Sequence, residues 1–163
     1  MSKISVLMSV YKKENPEYLR ASLESILVQT RTADEILLIE DGPLTQELYQ
    51  VVAEYQKKCD YLHVHAMEQN VQLGRALAKG VELCKYDLIA RMDTDDIAMP
   101  DRLEKEGAYM EAHPEVDVVG GAIREFNDEG TIDRVKNMPK TQEEILEYVK
   151  VRNPLNHMTV MYR

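Results

Sequence analysis

The sequence has few cysteines, no long apolar run and a deficit of positive charge, and each of these shortages excludes a class of protein. Cys59 and Cys84 are the only cysteines among 163 residues, which is too few for a disulfide framework. The longest apolar run near the start covers residues 4–10, far fewer than the roughly 20 residues that a membrane span requires. No small-residue cleavage site follows that run, so we expect no signal peptide.

The charge balance excludes a further class of protein. The chain carries 20 Lys and Arg against 29 Asp and Glu, which gives a formal net charge of −9. Nucleic acid is therefore not expected as the main partner, because phosphate backbones are bound by clustered basic side chains. A phosphate ligand held through a metal ion remains compatible with this charge. Together these features predict a cytoplasmic protein without a membrane span.

What the sequence does contain is a regular alternation of strand-like and helix-like segments. Asn15 before Pro16 is typical of a helix start, and Thr141 with Glu144 makes a capping-box pattern. Apolar spacing predicts strands at residues 4–10, 35–40, 61–65, 86–92, 116–119 and 157–162, with helices from 16, at 46–58, 73–84 and 100–113, and from 142. We expect one α/β domain of residues 1–163, a single mostly parallel, Rossmann-like sheet with helices on both faces.

Polar side chains stand at the carboxyl ends of three predicted strands. In an open α/β sheet, ligands bind in the crevice beyond these ends. The side chains are Ser9 and Tyr11 after the first strand, Glu40 and Asp41 after the second, and Asp93, Asp95 and Asp96 after the fourth. We therefore expect them to converge on one rim of the sheet.

The acidic segment Asp93-Thr94-Asp95-Asp96 is the most specific signal. Three carboxylates within four residues repel one another unless a cation or hydrogen bonds hold them. Aspartate oxygens suit hard divalent ions such as Mg²⁺ or Mn²⁺, which also accept substrate phosphate oxygens as ligands. The alternative interpretation is a solvated acidic turn in which Asp96 caps the next helix.

Other functions also use acidic loops. A calcium EF-hand beginning at Asp93 needs Gly at its sixth position, where Ala98 stands, and Pro100 interrupts the loop, so we exclude it. A metal-dependent phosphatase with Asp93 as nucleophile, as in haloacid-dehalogenase enzymes, remains an alternative, although that motif normally follows the first strand. A nucleotidyltransferase is disfavoured because residues 11–15 contain no glycine.

Asp41 has its own chemical interpretation. A carboxylate at this strand end can accept a hydrogen bond from N3–H of uracil or thymine, a donor that cytosine and adenine lack. The alternative is a turn aspartate that bonds its own backbone before Gly42 and Pro43. Tyr11 could pack against a base, or it could be a partly buried packing residue.

With these motifs in place, the whole chain resembles the family 2 glycosyltransferases, which have the GT-A fold. SVLMSVYK resembles the opening strand, LLIEDGP the nucleotide-contacting second strand, and NVQLGRALAKG the loop and helix before the acidic motif. Residues 86–121 are the most specific stretch, because they join the acidic motif, the Pro-Asp-Arg-Leu helix start and the next strand in the family's order.

The resemblance implies an inverting transfer of a sugar from a UDP- or dTDP-sugar to a hydroxyl acceptor, a saccharide or lipid-linked saccharide, in polysaccharide biosynthesis. It implies that Asp41 holds the base, with Ser9 and Tyr11 lining its pocket. It makes Asp93 and Asp95 the D-x-D pair near the ribose and the metal. Asp95 and Asp96 are the expected ligands of Mn²⁺ or Mg²⁺, the implied cofactor.

Several positions depart from the family pattern. Gln72 stands where Gly is usual, and Ala78 where Asn is usual. Glu40 stands where a second Asp is common. Arg75 could approach the diphosphate and His157 could shape its site, but an exposed helix arginine and a packing histidine are the alternatives.

The catalytic base is not assigned to any residue of this sequence. In the family it is an acidic residue beyond the last strand, and here that strand is followed only by Arg163. We therefore expect residues 1–163 to be the nucleotide-sugar-binding part of a larger enzyme, cytoplasmic or peripheral to the inner face of the membrane. A non-catalytic nucleotide-sugar-binding module is the alternative.

Overall fold

The computed structural model describes residues 1–127 and 133–163, and in them strands and helices alternate as the sequence predicts. The strands are β1 (Ile4–Val10), β2 (Glu35–Glu40), β3 (Leu62–Ala66), β4 (Leu88–Asp93), β5 (Val118–Val119), β6 (Ile123–Phe126), β7 (Asp133–Lys136) and β8 (Met161–Tyr162). The helices are α1 (Pro16–Leu27), α2 (Gln46–Lys58), α3 (Leu73–Leu83), α4 (Arg102–Ala112) and α5 (Gln142–Tyr148), and a 3₁₀ turn covers His157–Thr159.

Six strands form one sheet in the order β3-β2-β1-β4-β8-β5. The neighbours β3, β2, β1 and β4 all pair in parallel, whereas β8 runs antiparallel to both β4 and β5. The predicted α/β class and mostly parallel sheet are confirmed. The antiparallel pair of β6 and β7 forms a separate two-stranded sheet, which the sequence analysis did not predict.

Helices cover both faces of the sheet, as expected. On one face, Leu23 of α1, Leu48 of α2 and Leu103 of α4 are fully buried in the larger core cluster. On the other face, α3 packs Ala76 and Leu77 against apolar side chains of β1 and β2. Burial of each fully enclosed leucine stabilises the fold by roughly 1.5–3 kcal/mol. This two-sided core fixes the carboxyl edge of the parallel strands, where ligands are expected.

The helix starts follow from the predicted caps. The Asn15 side chain accepts a hydrogen bond from the backbone N–H of Glu17, and Pro16 occupies the first turn of α1. Thr141 and Glu144 form the predicted capping box of α5. Each cap satisfies a backbone donor that the helix itself leaves unpaired.

Several element boundaries differ from the prediction, among them the following three. The helix expected from residue 100 begins at Arg102, so Asp96 does not cap it and the capping alternative is wrong. Strand β4 begins at Leu88 rather than at residue 86. The C-terminal segment is a strand only at residues 161–162, because Thr159 turns back to bond Asn156 within the 3₁₀ turn.

None of the helices in the described parts of the chain is long and apolar enough to span a membrane. Cys59 and Cys84 are both free thiols.

Candidate functional site

The carboxyl ends of β1, β2 and β4 lie side by side and bring the predicted polar groups together. In the parallel ladders, Ser9 of β1 lies opposite Asp93 of β4, and Val10 lies opposite Glu40 of β2. Asp41 follows β2 directly, and its backbone N–H donates to the carbonyl of Val10 at 2.8 Å. Side chains more than 50 positions apart in the sequence therefore share one edge.

A cleft of about 400 Å³ opens at this edge. All five residues predicted to bind a nucleotide line it, and these are Ser9, Tyr11, Asp41, Asp93 and Asp95. Five further lining residues were not assigned from the sequence, namely Glu14, Asn70, Gln72, Leu73 and Thr94. Pockets for small ligands typically span roughly 300–1,000 Å³, so the cleft is large enough for one.

Asp41 does not bond its own turn, as the alternative interpretation required, but reaches across to the loop before α3. Its Oδ1 accepts a hydrogen bond from the backbone N–H of Val71 at 2.6 Å, and its Oδ2 accepts from Asn70 Nδ2 at 2.9 Å. Each carboxylate oxygen can accept two hydrogen bonds. Asp41 is therefore fixed in position and still has acceptor capacity toward a ligand.

The three aspartates after β4 come together as a cluster. One carboxylate oxygen from each of Asp93, Asp95 and Asp96 lies within 4.8 Å of the others. Burial, and next the neighbouring charges of Asp95 and Asp93, raise the pKa of Asp96 to about 6. A divalent cation would offset the repulsion among these carboxylates. All three offer hard oxygen ligands of the kind that Mn²⁺ and Mg²⁺ prefer.

Hydrogen bonds from the preceding elements hold this acidic loop in place. Ser22 of α1 donates its hydroxyl to the carbonyl of Asp93 at 2.8 Å. Thr94 is buried and donates to the Glu14 carboxylate at 2.6 Å. Farther along, Ser25 Oγ accepts from the Ala98 backbone N–H at 3.0 Å. The positions of the carboxylates are thus set by the fold before any ligand binds.

Arg91 of β4 is a further charged residue of the site that the sequence analysis did not identify. Its side chain is 2% exposed, and its Nη2 donates to Asp93 Oδ1. The only sequence signal was an arginine inside an otherwise apolar strand two positions before the acidic motif. Its burial becomes evident only in the folded chain.

Gln72, at the start of α3, has a strained backbone at the margin of the cleft. Its φ of 73° and ψ of 151° lie in a region populated essentially by glycine. The signal in the sequence is that Gln stands at a position where the family usually has Gly. Arg75, in the first turn of the same helix, is exposed and does not line the cleft.

Asp96 lies on the far side of the acidic loop, where it lines a second cavity of about 510 Å³. The walls of this cavity are largely apolar and include Met92, Ile97, Met99, Phe126 and Met158. Arg102 and Glu106 also contribute, and Arg102 Nε donates to both carboxylate oxygens of Glu106. The acidic loop is therefore the shared wall between two cavities.

His157 lies in the 3₁₀ turn, outside both cavity linings. Burial, and next the positive charge of Arg91, lower its pKa. The burial of the ring is only partial, since the residue as a whole is exposed, and the neutral imidazole is favoured.

Comparison with known protein families gives a match over nearly the whole chain. The model of glycosyl transferase family 2 matches residues 5–163. The chain belongs to this family, and the resemblance of its motifs is confirmed.

Two curated relatives illustrate the likeness. An uncharacterised glycosyltransferase of Haemophilus influenzae is 48% identical over 99% of this chain and 60% of its own length. The UDP-Gal:alpha-D-GlcNAc-diphosphoundecaprenol beta-1,3-galactosyltransferase of Escherichia coli is 35% identical over 99% of this chain and 58% of its own length. The chain thus spans about three-fifths of the length of these relatives.

A solved structure shares the fold. Residues 1–349 of Staphylococcus aureus TarS in complex with UDP-GlcNAc superpose with a TM-score of 0.75 at 21% identity, covering 99% of this chain and 45% of the TarS chain in that structure. The fold is accordingly of the GT-A type.

Proposed function

We propose that the chain is the nucleotide-sugar-binding domain, residues 1–163, of an inverting glycosyltransferase. The donor is a UDP- or dTDP-sugar, bound in the 400 Å³ cleft. The observation that carries this proposal is the fixed Asp41 carboxylate facing the acidic cluster across one cleft, in a chain of this family.

In this proposal, Asp41 recognises the nucleotide base of the donor. Both carboxylate oxygens already accept hydrogen bonds from residues 70 and 71, so the carboxylate is held in one orientation rather than free to rotate. An acceptor in this state pairs with N3–H of uracil or thymine, whereas N3 of cytosine carries no hydrogen and is itself an acceptor. Ser9 and the exposed ring of Tyr11 complete the pocket for the nucleoside.

The diphosphate end of the donor is assigned to the acidic cluster. Asp95 and Asp96 would hold Mn²⁺ or Mg²⁺, and Asp93 would contribute beside them near the ribose. Their oxygen donors and mutual approach within 4.8 Å fit such an ion. The chemistry that the bound ion supplies is neutralisation of negative charge on the departing diphosphate.

The acceptor is assigned by analogy with the relatives. The E. coli relative is named for a diphosphoundecaprenol-linked sugar acceptor. We therefore assign this chain a lipid-linked saccharide acceptor in polysaccharide biosynthesis, used in the cytoplasm at the inner face of the membrane. Inversion also needs a general base for the acceptor hydroxyl, and no residue of this chain is assigned that role.

Calorimetric titration of the 163-residue chain with nucleoside diphosphates tests the proposal. We expect UDP and dTDP to bind in the presence of Mn²⁺, CDP to bind at least about tenfold more weakly, and EDTA to abolish most of the binding. Asp95→Asn and Asp96→Asn should each weaken binding of UDP with Mn²⁺ by about tenfold or more, because each removes a charged oxygen donor.

Asp101→Asn is the matched control, because Asp101 is ion-paired with Lys105 outside the cleft. It should leave UDP binding unchanged. Equal, EDTA-insensitive binding of all nucleotides would contradict the proposal.

A further inference from the structure

Arg91 carries a positive charge into the interior of the sheet. It pairs in register with Leu7 of β1, and Ile89 lies two positions earlier on the same face of β4. Leu7, Ile89 and the Arg91 side chain are all buried. A charge in such apolar surroundings destabilises a fold unless its partners replace the lost water.

The pairing of this guanidinium is incomplete. Nη2 donates to Asp93, whereas Nε and Nη1 are buried and have no hydrogen-bond partner within residues 1–127 and 133–163. By contrast, the nearby Arg102 has Glu106 as a two-oxygen partner and also donates to the Arg91 carbonyl. Stability alone does not account for Arg91, because an apolar side chain would suit this position better.

The charge of Arg91 acts on the whole acidic cluster. It bonds one of three aspartates whose ligand oxygens lie within 4.8 Å of one another. At these separations, in a half-buried region, a unit charge is screened far less than it is in water. A cation that approaches the cluster therefore meets a fixed positive charge as well as three negative ones.

We propose that Arg91 makes metal binding at this cluster depend on the diphosphate. Its guanidinium donates a hydrogen bond to one oxygen of Asp93 and holds that carboxylate in place. Its positive charge also lowers the affinity of the cluster for a free divalent cation. The negative charge of a nucleoside diphosphate offsets the guanidinium, so the ion is retained as the metal–diphosphate complex. Arg91 is thus a positioning residue for the site assigned above, and this inference rests on that proposed function.

The test measures Mn²⁺ binding to the 163-residue chain with and without UDP, by calorimetry and by the paramagnetic resonance signal of free Mn²⁺. Arg91→Met and Arg91→Gln should bind Mn²⁺ alone about fivefold or more tightly than wild type, because a nearby positive charge is gone. In both variants UDP should increase Mn²⁺ affinity by a smaller factor than in wild type, and Mn²⁺ should increase UDP affinity by the same smaller factor. Arg91→Lys keeps the charge and should keep the weak wild-type affinity for Mn²⁺.

Arg31→Met is the matched control, because Arg31 also has a side chain that is only 9% exposed, and it is paired with Glu111 rather than with the acidic cluster. It should not change Mn²⁺ affinity. A folded neutral variant of Arg91 with unchanged or weaker affinity for Mn²⁺ alone would overturn the proposal, since loss of structure weakens binding and cannot strengthen it. Where UDP binds the wild-type chain, equal Mn²⁺ affinity with and without UDP would overturn the proposal as well, even if no neutral variant folds.

The two proposals fail separately. A wild-type chain that binds no UDP contradicts the proposed function, whereas the role of Arg91 is then decided by the affinities of wild type and Arg91→Met for Mn²⁺ alone.

Discussion

At the scale of single residues, the margin of the site contains one residue, Gln72, with a strained backbone conformation. Gln72 has a positive φ, and it is the only non-glycine residue with one in the described parts of the chain. Its side chain is exposed and makes no cap hydrogen bond to α3. A side chain in this backbone region costs about 1–3 kcal/mol.

Gln72→Gly should therefore raise the free energy of unfolding. Relief of the strain outweighs the greater freedom that glycine gives the unfolded chain, and we expect a net gain of about 1 kcal/mol in urea denaturation. Gln69→Gly is the control, because Gln69 is also exposed but has no positive φ, and it should destabilise the chain. Loss of stability in Gln72→Gly would show that the strained geometry is not maintained in solution.

At the scale of elements, the loop before α3 supports Asp41 and so couples two parts of the site. Gly42 has a φ of 83°, and a Cβ there would lie 2.5 Å from the backbone N of Asn70. Asn70 and Val71 supply both hydrogen bonds to the Asp41 carboxylate. Any side chain at position 42 must therefore displace the loop that orients Asp41.

Gly42→Ala should destabilise the chain by about 2–4 kcal/mol and weaken UDP binding, because strain and a backbone clash combine. Gly74→Ala is the matched substitution in the first turn of α3, where a Cβ meets no atom within 4 Å. It should raise stability by up to about 1 kcal/mol, since alanine is the better helix former, and leave UDP affinity unchanged. Thermal unfolding measures the change in stability, and calorimetry measures the change in UDP affinity. Equal changes in stability and UDP affinity for the two variants would contradict the role given to this loop.

Some of these elements could be predicted from the sequence and others could not. Strands β1 and β2 are mostly apolar segments with buried side chains, and their predicted limits match the structure. The strand predicted at residues 157–162 is largely replaced by a 3₁₀ turn, because Asn156 and Thr159 form hydrogen bonds with the backbone of Gly121. These contacts join residues 35 or more positions apart, so the local sequence does not show them. The described residues of β6 and β7 include no buried side chain, and the two strands therefore lack the alternating apolar pattern by which a strand can be predicted.

At the scale of the whole molecule, the acidic loop divides two cavities of different character. The 400 Å³ cleft contains Asp41, Asp93 and Asp95, whereas the largely apolar 510 Å³ cavity lies beyond Asp96. The sequence analysis could predict the acidic members because each follows a recognisable strand. It could not identify Arg91, Thr94 or Glu14, whose importance depends on burial and on contacts between distant elements.

The central claim is that a uridine or thymidine diphosphate and a divalent ion occupy this cleft together. Crystals of the chain grown with UDP and MnCl₂, measured for the anomalous scattering of manganese, test it most directly. The account predicts one strong anomalous peak within bonding distance of Asp95 or Asp96 and of the diphosphate, with uracil N3 hydrogen-bonded to Asp41. UDP bound away from Asp41, or manganese bound away from the acidic cluster, would contradict it.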